Sequence, residues 1–196
     1  MRTLDTDTVD AELTDEAVSI LAQAFHDDPV INWACNFPDD LRPFFKITMP
    51  PFVGQGLTYV DKDRLGVACW QGPNQDIEWP YTFSTLVDIW RLGGPKAVYR
   101  MILSGSRTER FHPRAPHYYL FAIGVLPEAK GKGLGTGLIS QVLRTCDEER
   151  MPAYLENSKE ENLPFYQGHG FKVVEEVQIS NSSPPLWLMW RDPRPE

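Results

Sequence analysis

The stretch that decides the fold is His117–Gly137, which has the sequence HYYLFAIGVLPEAKGKGLGTG. Its first part, His117–Val125, is an apolar run that predicts a buried β-strand. A glycine-rich turn follows, and the spacing of apolar residues beyond it predicts a helix from Gly133 to about Glu149. The chain therefore passes from a core strand through a tight turn into a helix.

Three glycines spaced by two stand in this turn, at Gly131, Gly133 and Gly135, and they alternate with Lys130 and Lys132. Because glycine has no Cβ, the backbone amides of such a turn can approach an anion closely. The first turn of the helix adds unpaired N–H groups and the positive end of the helix dipole. The pattern predicts a phosphate or pyrophosphate site; the alternative is a turn whose glycines only permit tight packing.

Two common phosphate-binding motifs do not fit this turn. A P-loop needs glycine at the position of Leu126 and Ser or Thr at the position of Gly133. The Rossmann fingerprint needs glycine at Thr136 or at Leu138, depending on the frame. Another class of phosphate-containing ligand is therefore indicated.

The remaining chain predicts a mixed α/β (α+β) domain without internal repeats. Predicted strands are 57–60, 65–70, 153–156, 171–177 and 186–191, and predicted helices are 14–25, with Thr14 as N-cap, about 40–52, and 163–167. The segment between, 26–40, is expected to be a turn-rich link. Residues 76–116 form an aromatic insertion, expected to hold two helices that break near Gly93-Gly94-Pro95.

Composition limits the class of protein. The 196 residues suit a single domain, 1–196, and the net charge of −8 argues against a non-specific nucleic-acid binder. The three widely spaced cysteines, Cys35, Cys69 and Cys146, form no CxxC and indicate buried thiols in a reducing compartment. With no apolar segment typical of a signal peptide or membrane span, we expect a cytoplasmic protein that binds no membrane.

The quoted stretch resembles the GNAT superfamily of N-acetyltransferases. KGKGLG (Lys130–Gly135) is similar to that superfamily's acyl-CoA signature, [Q/R]-x-x-G-x-[G/A], with Lys130 in the Gln/Arg position. YLENSKEENLPFYQGHGFKVVEE (Tyr154–Glu176) resembles its second signature. Together with VACWQGP (Val67–Pro73) and AFHDDP (Ala24–Pro29), these segments most resemble the puromycin N-acetyltransferase branch.

The resemblance implies the GNAT fold, a mixed central sheet with splayed strands and flanking helices, here with a helical insertion at about 76–116 between the third and fourth strands. It also implies acetyl-CoA as the donor, coenzyme A as a product, and no metal. The pantetheine arm would pair with the backbone of Ile123, Gly124 and Val125, and an N–H near Ile123 would polarise the thioester carbonyl. The pyrophosphate would lie on the loop residues Lys130, Gly131, Lys132, Gly133, Leu134, Gly135 and Thr136. Gly124 interrupts an apolar strand, which indicates a bulge or a close backbone approach.

Two residues of the second signature have implied roles. Tyr166 matches the tyrosine that protonates the leaving CoA thiolate, and a phenol is protonated at neutral pH without any pKa shift. The alternative for Tyr166 is a packing role. Asn162 would contact the cofactor or cap the short helix.

The acceptor amine must lose a proton before it attacks, which requires a base or a chain of waters. Glu156, at the end of a predicted strand, is the first candidate, with an ordinary strand-end carboxylate as the alternative. His117 and Tyr118 are weaker candidates. With no Ser/His/Asp or Cys/His set, direct attack in a ternary complex is expected rather than an acyl-enzyme.

Aromatic residues could line a pocket for a flat or apolar amine, or pack as core and lid. The substrate-binding candidates are Trp33, Trp79 and Tyr81, with Phe37 and Trp90 as further members. His26, Asp27 and Asp28 lack the spaced partners of a metal site.

The sequence therefore favours an enzyme that acetylates an amine of a small molecule. Two alternatives stay open: acetylation of a protein N-terminus or lysine, and a non-catalytic acyl-CoA sensor or scaffold. We expect a monomer or homodimer.

Overall fold

The structure of the chain is a computed structural model that describes residues 4–37, 40–75, 79 and 82–194. The strands are β1 (Thr6–Thr8), β2 (Thr58–Asp61), β3 (Gly66–Gln71), β4 (Tyr118–Val125), β5 (Ala153–Asn157), β6 (Lys172–Gln178) and β7 (Pro185–Arg191). The helices are α1 (Thr14–Ala24), α2 (Pro29–Cys35), α3 (Arg42–Thr48), α4 (Pro50–Val53), α5 (Phe83–Phe111), α6 (Leu134–Glu148) and α7 (Leu163–Gly168). The predicted mixed α/β class is confirmed.

The seven strands form one mixed sheet in the order β1-β2-β3-β4-β5-β7-β6. Neighbouring strands are antiparallel except β4 and β5, which are parallel. These two pair over three residues only, Tyr118–Leu120 opposite Ala153–Leu155. Beyond Leu120, β4 continues to Val125 without a partner from β5 among the described residues. The two strands therefore splay apart, as the superfamily's fold implies, and a gap opens in the middle of the sheet.

A bulge in β4 changes which face its side chains occupy. Cys69 of β3 pairs with Ala122, but the next residue, Trp70, pairs with Leu120, so Phe121 is the extra residue. Before the bulge Leu120 packs on the α6 face, and after it Ala122 packs on the α1 face. The predicted irregularity therefore lies at Phe121, where β4 leaves β5, rather than at Gly124.

Helices cover both faces of the sheet. On one face, Leu21 of α1, Phe45 of α3 and Phe52 of α4 are fully buried. On the other, Leu138 and Val142 of α6 are fully or almost fully buried, as the helical spacing predicts. Each such side chain contributes about 1.5–3 kcal/mol through removal from water, and the two layers together fix the position of β4 and its turn.

The insertion between β3 and β4 is a long helix with a kink, α5. Gly94 leaves helical geometry, with φ 73° and ψ −173°, just before Pro95. A positive φ suits glycine, and proline cannot donate to the preceding turn, so the predicted break is confirmed. No helix among the described residues has both the length and the apolar composition needed to span a bilayer.

Several local predictions near the N-terminus were wrong. The predicted link contains α2, which begins after the N-cap Asp28, whose Oδ1 accepts a hydrogen bond of 2.8 Å from the amide of Ile31. Thr14 does not cap α1; its hydroxyl donates to the carbonyl of Asp10. The helix predicted at about 40–52 is divided into α3 and α4, because Pro50 starts a new helix.

Candidate active site

A groove runs along the end of β4 where the sheet opens, and we call it the glycine-loop groove. Its cavity volume is about 610 Å³. It is lined by Ala24, Phe25, Asp28, Ile123, Gly124, Val125, Ala129, Lys130, Gly131, Gly133, Leu134, Gly135, Thr136, Lys159, Glu161, Asn162, Phe165 and Tyr166. The structure thus brings every predicted cofactor-binding residue except Lys132 to one surface.

The loop before α6 has the geometry of an anion cradle. Gly131 and Gly133 have φ values of 77° and 79°, in the left-handed region that favours glycine. The first turn of α6 closes with the amide of Gly137 donating to the carbonyl of Gly133 at 3.0 Å. The amides of Leu134–Thr136 therefore precede the first intrahelical donor, and no side chain caps them. These unpaired N–H groups are available to a bound anion.

Gly124 lies where β4 passes under α1. A Cβ at this position would be 2.7 Å from Cβ of Ala24 and 3.1 Å from Cδ2 of Leu21. A close approach is thus found at Gly124, and it is made by side chains of α1; the pairing of the pantetheine arm with this backbone stays a prediction. On the side of β5, the backbone beyond Leu120 has no strand partner among the described residues, so this edge can accept an extended ligand.

Tyr166 of α7 is buried beside the groove. Its hydroxyl has no hydrogen-bond partner within the described part of the chain. Burial raises the pKa of Tyr166, and the nearby charge of Asp28 raises it further, so the phenol keeps its proton at neutral pH. Asn162 occupies the N-cap position of α7 but makes no capping hydrogen bond with its side chain; it lines the groove.

A second, smaller cavity lies on the α1 face of the sheet, and we call it the aromatic cavity. Its volume is about 170 Å³. Its lining is mostly apolar and includes Val30, Ile31, Phe44, Phe45, Trp79, Met101, Tyr119, Phe121, Ile179 and Leu186. The polar groups at its wall include Asp28, Thr48, Ser104, Thr108, Glu156 and Ser158. Such a cavity suits a compact apolar molecule that carries one polar group.

Glu156 is one of two carboxylates at the wall of the aromatic cavity, with Asp28, and its side chain is 9% exposed. Its Oε2 accepts a hydrogen bond of 2.6 Å from the Tyr119 hydroxyl, and its Oε1 accepts one of 3.1 Å from the Tyr154 hydroxyl. Burial raises the pKa of both tyrosines, and the negative charge of Glu156 adds to the shift. Both phenols therefore stay protonated and act as donors that hold the carboxylate in place.

Asp28 connects the two sites, since it lines both the groove and the aromatic cavity. Its carboxylate is buried, with Oδ1 on the Ile31 amide and Oδ2 accepting from the Ser158 hydroxyl. Burial raises the pKa of Asp28, against the effect of these hydrogen bonds. Asp28 was not among the predicted site residues. The available signal was the Asp-Pro pair, an N-cap followed by proline at the first helical position.

The aromatic residues predicted to bind the acceptor do not all line the aromatic cavity. Trp79 lines the aromatic cavity, with ring centroids 6.1 Å from Phe52 and 6.0 Å from Phe121. Trp33 lies outside that lining and packs against α5, with the Arg100 guanidinium 4.5 Å from its ring centroid. Tyr81 lies outside the described residues.

The structure also gives the positions of the weaker base candidates. Tyr118 points to the α6 face, where its hydroxyl donates to Glu149 at 2.8 Å. His117 is buried beside His112, which the sequence analysis did not select. In the described ranges, no group of three or more His, Cys, Asp or Glu side chains is arranged to hold a metal ion. Asp27 pairs with Lys159 instead.

The three cysteines are buried and unpaired, as predicted. Burial raises the pKa of the Cys69 and Cys146 thiols to about 12 and also raises that of Cys35. A thiol with so high a pKa is a poor nucleophile at neutral pH. These residues do not support an acyl-enzyme on cysteine.

Comparison with known proteins agrees with the predicted superfamily. The model of the Acetyltransferase (GNAT) family matches residues 96–171, which include β4, the glycine loop, α6, β5 and α7. An uncharacterised N-acetyltransferase of Schizosaccharomyces pombe is 28% identical over 206 aligned residues, covering 96% of this chain and 83% of the relative.

Solved structures share the whole fold. A protein of Corynebacterium glutamicum, described as histone acetyltransferase HPA2 and related acetyltransferase, superposes with a TM-score of 0.69 at 20% identity, over 100% of this chain and 99% of its own. Arylalkylamine N-acetyltransferase 2 of Aedes aegypti gives a TM-score of 0.67 at 14% identity, over 98% of this chain and 100% of its own. At these identities the likeness establishes the fold.

Proposed function

We propose that the chain is an N-acetyltransferase of the GNAT superfamily, in line with the family match and the relative described above. In this proposal it transfers an acetyl group from acetyl-CoA to an amine of a small molecule, by direct attack in a ternary complex. The observation that carries this proposal is the junction of the two sites. Phe25 and Asp28 line both the glycine-loop groove and the aromatic cavity. A donor in the groove and an acceptor in the cavity would therefore meet without a covalent enzyme intermediate.

The groove fits the chemical parts of coenzyme A. The unpaired amides of Leu134–Thr136, the glycine loop before them and the cations Lys130 and Lys132 suit its phosphates. The open edge of β4 at Ile123–Val125 suits an extended, amide-containing arm, and Asn162 offers one further polar contact. When bound, acetyl-CoA would supply the activated acetyl group, and an N–H near Ile123 would polarise its carbonyl.

Tyr166 and Glu156 are proposed to handle the two protons of the reaction. The Tyr166 hydroxyl holds its proton and has no hydrogen-bond partner among the described residues. It is therefore free to donate to the leaving sulfur. A free alkyl amine, with a pKa near ~10.4 by analogy with lysine, is mostly protonated at pH 7. Glu156 lies at the wall of the aromatic cavity and is proposed to accept the amine proton.

The acceptor class follows from the cavity's size and charge. A volume of about 170 Å³ with aromatic walls suits a compact primary amine with an apolar body, or the amine-bearing end of a larger molecule such as puromycin. Glu156 and Asp28 favour a cationic group. Trp79 is proposed to contact the apolar body, and the roles of Trp33 and Tyr81 stay predictions. We place the enzyme in the cytoplasm on the support of its unpaired thiols.

The proposal is tested by calorimetry and a thiol-release assay. Acetyl-CoA and CoA should bind, and S-acetyl-pantetheine, which lacks the pyrophosphate, should bind far more weakly if the glycine loop holds that group. Acetyl-CoA turnover is then measured with 2-phenylethylamine, agmatine, puromycin, and a peptide with a free N-terminus.

Release of thiol with one of the three amines, together with intersecting double-reciprocal plots, is the expected result. Turnover with the peptide and with none of the amines would indicate that the acceptor is a protein and not a small molecule. Parallel plots would contradict direct transfer. Equal affinity for acetyl-CoA and S-acetyl-pantetheine would show that the glycine loop does not bind the pyrophosphate.

A further inference from the structure

A polar chain leads from Glu156 away from the aromatic cavity. Nδ1 of His112, the residue that follows α5, lies 3.9 Å from Oε1 of Glu156. Nε2 of His112 lies 3.1 Å from Nε2 of His117, and Nδ1 of His117 lies 2.7 Å from the carbonyl oxygen of Ala115. Four groups are thus connected in sequence, from a backbone carbonyl to a buried carboxylate.

The positions of the protons along this chain follow from the carbonyl at its end. A carbonyl oxygen only accepts, so Nδ1 of His117 must carry a proton. Burial lowers the pKa of His117, and the neighbouring His112 lowers it further against the effects of the Ala115 carbonyl and Glu156. In neutral His117, Nε2 is therefore an acceptor, and Nε2–H of His112 is the donor. Nδ1 of neutral His112 is then an unprotonated nitrogen that faces Glu156.

Solvent access differs along the same chain. The Glu156 side chain is 9% exposed, whereas the His112 side chain is 30% exposed. A buried carboxyl group that gains a proton must lose it again before the next turnover. His112 is a partly exposed neighbour of the carboxylate, so it is placed to exchange a proton with solvent.

We propose that Nδ1 of His112 receives the proton that Glu156 takes from the acceptor amine and releases it to solvent. The inference rests on the proposed function, because it needs Glu156 as the proton acceptor. The ammonium gives one proton to the Glu156 carboxylate, this proton moves to Nδ1, and the resulting imidazolium loses it to water. The transfer needs the His112 ring and the carboxyl to approach by about 1 Å from their separation of 3.9 Å, to an ordinary hydrogen-bond distance. His112 acts through Glu156 and is a positioning and relay residue.

The groups that face His112 come from two strands. From β4 and the residue before it come Tyr119 and His117, whose ring centroids both lie 4.8 Å from that of His112. From β5 come Tyr154, with its centroid at 5.2 Å, and Glu156. Because the tyrosines stay protonated, Glu156 is the one negative charge among these four groups, and an imidazolium at His112 would lie beside it.

The first test needs no substrate. In protein labelled with ¹⁵N-histidine at pH 8, we expect the Nε2–H form of His112 and the Nδ1–H form of His117, read from their nitrogen shifts. The chain has 4 histidines, and single substitutions assign them. An Nδ1–H form of neutral His112 would overturn the proposal, since that nitrogen could then accept no proton.

The second test is kinetic and uses the amine turned over fastest in the panel. His112→Ala should lower kcat about 10- to 100-fold, below the full effect of losing a general base, and leave the KM for acetyl-CoA unchanged. Added imidazole should restore kcat, whereas pyrazole, of the same shape but a much weaker base, should not. His112→Gln, which can still donate to His117, should remain slow.

Separate outcomes distinguish the relay from the function it rests on. His26→Ala, at an exposed histidine distant in sequence, should keep wild-type kcat. Wild-type kcat in His112→Ala, or equal rescue by pyrazole and imidazole, would overturn the relay. Wild-type kcat in Glu156→Gln would instead overturn Glu156 as the base, and with it the relay, while leaving the acetyl transfer itself in place. No thiol release with any amine of the panel would overturn the proposed function.

Discussion

The sharpest prediction concerns the Tyr166 hydroxyl, because this group has no hydrogen-bond partner within the described part of the chain. Replacing it in Tyr166→Phe removes no hydrogen bond within the described part of the chain, so the free energy of unfolding should change by less than about 0.5 kcal/mol. Loss of a general acid lowers the rate about 10²- to 10⁴-fold. At about 1.36 kcal/mol for each factor of ten, the barrier should rise by roughly 2.7–5.4 kcal/mol.

Tyr118→Phe is the matched control, since Tyr118 is a buried tyrosine of the same domain with a bonded hydroxyl. It donates to Glu149 at 2.8 Å on the α6 face. Its removal should cost about 0.5–3 kcal/mol of stability and leave kcat unchanged. Thiol release measures kcat, calorimetry measures the affinity for CoA, and urea unfolding measures stability. A Tyr166→Phe enzyme with wild-type kcat would refute the role of this hydroxyl as the proton donor.

Three further predictions test the packing and the charges around the site. Gly124→Ala should destabilise the fold by about 1–3 kcal/mol in urea, because the new Cβ meets Ala24 at 2.7 Å, whereas Gly135→Ala, whose Cβ finds its nearest atom at 3.5 Å, should not. Asp28→Asn should leave stability unchanged within about 1 kcal/mol and lower kcat/KM for a cationic amine about tenfold or more; an unchanged kcat/KM would exclude Asp28 from acceptor binding. Burial raises the pKa of Asp147, but the hydrogen bonds from Arg191 and the Arg194 amide outweigh it and hold the pKa below 3.8. This carboxylate therefore stabilises the fold above pH 3.8, and the contribution is lost as the pH falls through its native pKa. Asp147→Asn should lower the free energy of unfolding by about 1–3 kcal/mol at pH 7. An equally large loss of stability below the native pKa of Asp147 would contradict the predicted pH dependence.

The strand, loop and helix of the cofactor groove could be predicted from sequence because each signal there is local. The apolar run sets β4, the positive φ values of Gly131 and Gly133 need residues without a Cβ, and apolar spacing sets the buried face of α6. These features depend on neighbours within a few positions along the chain. The placement of the predicted groove residues along one cavity wall follows from that local order.

The acceptor side could be predicted only in part, because its residues are distant in sequence. Aromatic residues alone do not distinguish a cavity wall from packing; the position of Arg100 on α5 decides that Trp33 packs against that helix. The end of the kinked insertion, which no short-range pattern determines, brings His112 to Glu156.

The splay between β4 and β5 explains why local and distant signals meet at one place. The bulge at Phe121 lies one residue past the last pair, Leu120 with Leu155, so β4 changes face where it loses its neighbour. On the same sheet edge, the backbone beyond Leu120 is open to an extended donor, and Glu156 follows directly after Leu155. The opening that leaves β4 without a partner therefore also brings the groove next to the Glu156 carboxylate of the aromatic cavity. A chain that restored pairing beyond Leu120 would close the groove and separate the two sites.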